Sequence, residues 1–198
     1  VSQAPDPPYP PATPADLAAT TAQLGREVRG VAGVAHRCAC GLPDVLATAP
    51  RLPDGTPFPT TFYATCPRLT GAISTLETTG VMREMTERLG ADAELAARYA
   101  AAHEDYLRRR HALGEVPEIA GVSAGGMPSR VKCLHVLVGH ALAAGPGVNP
   151  LGDEALALLP DWAAAGPCVT VPAAAGGSSP VGDGGATSGG EPEGTSCG

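Results

Sequence analysis

Three short stretches carry most of the residues able to do chemistry. Residues 33–43 read Gly-Val-Ala-His-Arg-Cys-Ala-Cys-Gly-Leu-Pro and place His36, Cys38 and Cys40 within five positions. A second stretch ends in Thr-Cys-Pro-Arg at Cys66 and Arg68. A third, Ser129 to Leu142, carries Lys132, Cys133, His135 and His140. Thiolates and imidazoles are zinc ligands. Cysteine followed by proline also suits iron–sulfur ligation, and a cysteine beside a histidine can serve as a nucleophile. The competing reading is that these cysteines are small core hydrophobes.

Geometry separates the candidates. A Cys-x-Cys pair in a strand points to opposite faces, so Cys38 and Cys40 meet only if the chain turns, as Gly41 permits. Cys66 is expected where a strand gives way to a helix begun by Pro67. Cys133 is expected in the first turn of a helix that starts near Ser129. Unpaired N–H groups and the dipole at a helix N-terminus favour a thiolate at both positions. His140 follows Cys133 by seven residues, which returns it to the same face within about 20° and about 10 Å along the axis, with its side chain leaning back toward Cys133. His135 falls on the opposite face unless the helix starts later. The expected site is therefore a zinc or iron–sulfur centre at Cys38, Cys66 and Cys133, with His140 or His135 as a fourth ligand. His36, Cys40, Arg68 and Lys132 stand beside it as packing or binding candidates. Two alternatives remain open: a metal-free thiol enzyme using Cys133 or Cys66, and a non-catalytic interaction module with buried cysteines. His103 and His111 lie on a charged helix and are expected to be solvated.

The elements that must position these residues follow from pattern. Thr13 caps a helix with Pro14 at its first position and Asp16 in its first turn, with Leu17, Thr21 and Leu24 near one face. Residues 30–38, 43–50 and 60–66 are strand candidates bounded by turn signals, and Pro-Asp-Gly at 53–55 is a turn. Helices follow over 67–80, with Leu69, Ile73 and Leu76 inward, and over 81–90, with Met82, Met85 and Leu89 inward. A third covers 92–113, capped by Asp92 and striped by Leu95, Tyr99, Ala102 and Tyr106. Residues 121–130 form a Gly-rich loop that could alternatively cradle an anion. A last short helix ends near Trp162. Strands first and helices after argue for an α+β domain, with a small antiparallel sheet packed against several helices.

Composition bounds the rest. The chain has 198 residues, 26 glycines, 21 prolines, six cysteines and a net charge of −7. Residues 1–13 and 165–198 are expected to be disordered tails around one domain at 14–164. Lys132 is the sole lysine, and Arg108–Arg110 suits an exposed helix end, so no nucleic-acid footprint is expected. No apolar run reaches the roughly 20 residues a membrane span needs. No signal-peptide pattern is visible, so the expected compartment is the cytoplasm, where cysteines serve as thiols or ligands.

Residues 35–69, 80–89 and 131–156 together resemble the family called domain of unknown function 501, over roughly residues 29–162. The family's pattern has Arg-Cys followed by Gly and Pro, then Thr-Cys-Pro, then Lys-Cys-Leu-His with a later histidine. These fall on Cys38, Cys66, Cys133, His135 and His140. The family is common in high-GC Gram-positive bacteria, and the resemblance implies no established activity. Family genes often neighbour a septum-formation protein and an exopolyphosphatase, but nothing in these residues supports a role in septum formation.

Overall fold

Capping chemistry sets the ends of several elements. The computed structural model describes residues 8–171. Helix α1 spans Pro14–Leu24. Thr13 accepts from the Asp16 N–H, and Asp16 reaches back to the Thr13 N–H, a reciprocal capping box. Its buried face is Asp16, Ala19, Thr20 and Gln23, whereas Leu17 is 39% exposed. Polar anchors override the expected Leu17–Thr21–Leu24 face. The Gln23 amide donates to the Pro43 carbonyl at 2.8 Å, and both Asp16 oxygens accept from the Arg37 guanidinium at 2.6 and 2.8 Å.

Strands β1 (Val31–Arg37), β2 (Pro43–Thr48) and β3 (Phe62–Ala64) form one antiparallel sheet in the order β1-β2-β3. Val34 pairs with Leu46, and Val45 with Ala64. All six residues of β2 are buried, as suits a central strand. Helices α2 (Pro67–Glu77), α3 (Val81–Ala91) and α4 (Ala93–His111) follow, and Asp92 caps α4 through the Glu94 and Leu95 N–H groups. Helices α5 (Leu134–Ala144) and α6 (Pro150–Leu158) complete the α+β fold.

Helix α5 is the centre of the core. It buries Leu134, Val136, Leu137, Val138, Gly139, His140 and Ala141, and it packs against β3, α2 and α6. Each fully buried Leu or Val contributes about 1.5–3 kcal/mol. The helix starts four to five residues later than the sequence suggests. The Gly125 and Gly126 carbonyls accept from the Lys132 and Arg130 N–H groups at 2.7 and 3.1 Å, which holds 130–132 in the preceding Gly-rich loop. Cys133 thus becomes the N-cap of α5 rather than part of its first turn.

The ordered body is wider than expected. Tyr9 is buried and meets Phe62 edge to face at 5.8 Å, and the Pro10 carbonyl accepts from the Val34 N–H at 2.9 Å. Residues 8–13 are therefore part of the packed structure. At the other end Arg68 donates to the Gly166 and Pro167 carbonyls at 2.7 and 3.2 Å. The expected tails at 1–7 and 172–198 lie outside the described residues. Two expectations for α4 also change. His103 is buried, with Nδ1 2.9 Å from the Ser123 hydroxyl. Arg110 is buried too, its guanidinium donating to the Val122 and Ile119 carbonyls. No helix among the described residues is long and apolar enough to cross a membrane.

Candidate metal centre

The late start of α5 changes the geometry of its first residues. Cys133 is extended, at φ −154° and ψ 114°, so the rotation of about 100° per residue does not apply between it and His135. Both side chains reach the same place. The Cys133 Sγ lies 3.9 Å from His135 Nδ1. Glu77, the last residue of α2, meets them there, with Oε1 3.3 Å from the same Nδ1. One ligand atom from each of Glu77, Cys133 and His135 lies within 4.8 Å of the others. No other group of three or more His, Cys, Asp or Glu side chains converges this closely among the described residues.

Glu77 also holds the helix start. Cys133 offers no side-chain cap to α5, and the Leu134 N–H donates instead to Glu77 Oε1 at 2.6 Å. A carboxylate from another helix thus supplies the negative charge that the α5 N-terminus favours. On its own helix Glu77 stands at the wrong end for the dipole. That mismatch is the one sequence signal that it serves a second element, and residue spacing alone does not expose it.

The ring of His135 is held from its far side. Nε2 faces the Thr70 carbonyl at 3.3 Å and the Ser74 hydroxyl at 3.4 Å. A carbonyl only accepts, so Nε2 carries a hydrogen. The Glu77 carboxylate also only accepts, so Nδ1 donates to it in the protonated ring, and loss of that proton frees the Nδ1 lone pair toward Glu77 and Cys133. His135 lowers the Cys133 thiol from its usual range, against an opposing effect of burial. Cys133 raises His135 in return, with Glu77 adding to the effect. Cys133 and His135 line a cleft of about 410 Å³ whose walls include Thr60, Phe62, Tyr63, Thr70 and Val136.

The remaining candidates occupy other settings. Cys66 is the N-cap of α2 and 1% exposed. Burial pushes its thiol up to about 11 despite N–H groups from Leu69 and Arg68, and the neighbouring Cys168 adds to the rise. The thiolate expected from the helix dipole is not favoured there. Cys38 lies just beyond β1, where the Gly41 N–H donates to the Cys38 carbonyl at 2.8 Å. Gly41 takes φ 86°, the left-handed conformation that lets the chain turn. The turn brings Cys38 and Cys40 side by side, and burial raises the Cys38 thiol. His36 Nδ1 lies 2.7 Å from Oδ1 of the buried Asp44. Arg68 spends its guanidinium on the two backbone carbonyls named above, and Lys132 is exposed.

His140 belongs to the core. Its Nε2 pairs with Asp105 Oδ2 at 2.9 Å, and the Asn149 amide donates to Nδ1 at 3.3 Å. Its ring stacks on Phe62 at 5.6 Å and meets Tyr106 edge-on at 5.2 Å. Burial lowers its pKa, and Asp105 opposes that effect. Of the residues expected to gather, the structure brings together Cys133 and His135. It leaves Cys38, Cys66 and His140 outside that group.

The family model described as a protein of unknown function, DUF501, matches residues 34–157. That range contains the whole Glu77–Cys133–His135 cluster and covers well over half of the chain. No curated protein and no solved structure matches the chain significantly. By the extent of the match, the chain belongs to the DUF501 family of proteins of unknown function.

Proposed function

We propose that this protein binds one zinc-type divalent ion through Glu77, Cys133 and His135, with a fourth coordination position left to water or a small ligand from the cleft. The observation that carries this reading is the approach of three ligand atoms to within 4.8 Å of one another, while the far nitrogen of His135 faces the Thr70 carbonyl. Neighbouring ligand atoms on a tetrahedral zinc lie about 3.3–3.6 Å apart, given Zn–N and Zn–O near 2.0–2.1 Å and Zn–S near 2.3 Å. The Nδ1–Oε1 and Nδ1–Sγ separations of 3.3 and 3.9 Å are close to that range. A backbone carbonyl on the distal nitrogen is the usual partner that orients a metal-binding histidine. One thiolate, one imidazole and one carboxylate suit zinc. An iron–sulfur cluster takes four thiolates, or a mixture with histidine, and among the described cysteines only Cys133 is in this group.

Such a centre polarises an oxygen of a ligand in the cleft or lowers the pKa of bound water. A direct test is cobalt substitution. Cobalt added to metal-free protein should give a thiolate charge-transfer band that Cys133→Ser abolishes and Cys66→Ser leaves intact. A spectrum without such a band counts against the reading.

A second reading has one observation in its favour. Cys133 and His135 can act as a thiolate–imidazolium pair without metal, given their 3.9 Å separation and their opposed pKa shifts. The two readings part at Glu77. It faces the same nitrogen as the thiol, which suits chelation, whereas a carboxylate that orients a catalytic histidine takes the opposite nitrogen.

A further inference from the structure

A second cavity adjoins the cleft at Cys133 and His135. Its volume is about 150 Å³. Apolar side chains of Leu24, Val28, Leu52 and Phe58 line it, and Arg26 and Arg29 also contribute to its wall. Leu24 and Tyr63 border both spaces, which therefore lie side by side. An apolar cavity of roughly 150 Å³ is the size that accepts a benzene ring.

The two arginines are available to a ligand. Helix α1 ends at Leu24, and the chain turns at Gly25, after which Arg26, Val28 and Arg29 line the cavity. Arg26 donates at 3.3 Å to the Tyr63 hydroxyl and at 3.4 Å to the Glu27 carbonyl. Among the described residues neither arginine forms an ion pair, in contrast to Arg37, Arg51, Arg88, Arg108 and Arg109. The exposed Asp54 feels the charge of Arg29, but its own hydrogen bond goes to the Thr56 N–H. On a chain of net charge −7, Arg26 and Arg29 bring two positive charges to the wall of a ring-sized apolar space. Guanidinium groups of this kind suit a carboxylate or a phosphate.

We infer that this cavity is the specificity end of the site and takes a small anion with a ring-sized apolar body. Arg26 and Arg29 hold its carboxylate or phosphate, and Leu24, Val28, Leu52 and Phe58 enclose its body. Tyr63 borders both the anion's cavity and the cleft at Cys133–His135. The inference rests on the reading of that pair as the reactive end.

The test is isothermal titration calorimetry of the full chain with phenyl phosphate, phenylacetate and the neutral phenol, with zinc content measured on the same samples. Wild type should bind at least one of the two anions, and the preferred one identifies the charged group. Arg26→Ala/Arg29→Ala should weaken that binding about tenfold or more, with zinc content and thermal midpoint unchanged. Equal affinity in wild type and variant, or phenol binding as tightly as the anions, overturns the inference. Arginine-dependent anion binding by a protein that takes up no zinc supports the cavity and refutes the metal reading alone.

Discussion

Substitution of Glu77 separates its two tasks. In metal-free protein its carboxylate caps α5 through the Leu134 N–H at 2.6 Å, because Cys133 supplies no cap of its own. Loss of a side-chain cap costs about 1 kcal/mol. Loss of a negative charge at the α5 N-terminus costs about 0.3–1 kcal/mol, but the same charge opposes the dipole at the C-terminal end of α2, so its removal returns a similar amount there. Glu77→Ala should therefore destabilise the protein by about 1 kcal/mol, the lost cap. Glu77→Gln keeps an oxygen acceptor and should be close to neutral. For a chain of this size the first loss corresponds to a midpoint shift of about 2–4 °C. Urea unfolding in chelator, followed by far-UV circular dichroism, measures the difference without any metal contribution. Zinc affinity should fall in both variants, because an amide is a poor substitute for a carboxylate ligand. The cap argument fails if the two variants are equally stable, or if Glu77→Ala costs less than about 0.5 kcal/mol, half the expected cap.

The cysteines should differ in reactivity, with Cys133 in chelator modified by iodoacetamide well before Cys66, since Cys66 is buried and its thiol is raised to about 11. Peptide mapping by mass spectrometry reads the order, and early labelling of Cys66 would contradict it. The Asp16–Arg37 pair should protect the fold at neutral pH. Arg37 holds the Asp16 carboxyl well below its usual range, so the stabilisation is present above the unfolded pKa of about 4 and is lost as pH falls below it. Asp16→Asn should lower stability at pH 7 and flatten the acid limb of the stability profile, and an unchanged limb would count against the pair. Gly152→Ala should destabilise by about 1–3 kcal/mol, because the new methyl would strike the Leu137 carbonyl and lie 2.9 Å from the Ala141 Cβ, where α6 rests on α5. A thermal melt within 1 °C of wild type would show that the two helices can move apart freely.

The fold was legible where local chemistry decides it. Thr13 and Asp92 mark helix starts in the sequence, and the structure begins α1 and α4 at those signals. The three strand candidates formed the expected antiparallel sheet. Long-range polar bonds were not legible. Gln23 and Asp16 rotate α1 away from its leucines, and the carbonyls of Gly125 and Gly126 delay α5. That delay decided the site. It freed Cys133 from helical geometry and let it face His135, a pairing the sequence allowed only if the helix began late. The carboxylate that joins them comes from the C-terminal end of α2, and its approach to α5 is a product of tertiary packing that no residue spacing encodes. The thiols of Cys38 and Cys66 look equivalent to Cys133 in sequence. Burial and their cysteine neighbours make them different in the structure.

The most direct test of the central claim is elemental analysis of protein purified without oxygen, with zinc and iron measured per chain for wild type, Cys133→Ser, Cys38→Ser and Cys66→Ser. The proposed centre predicts one zinc per chain in wild type, no iron and no colour. It also predicts loss of that zinc in Cys133→Ser and its retention in the other two variants. No zinc in wild type, or zinc that survives Cys133→Ser, would contradict the account. So would a metal whose retention depends on Cys38 and Cys66.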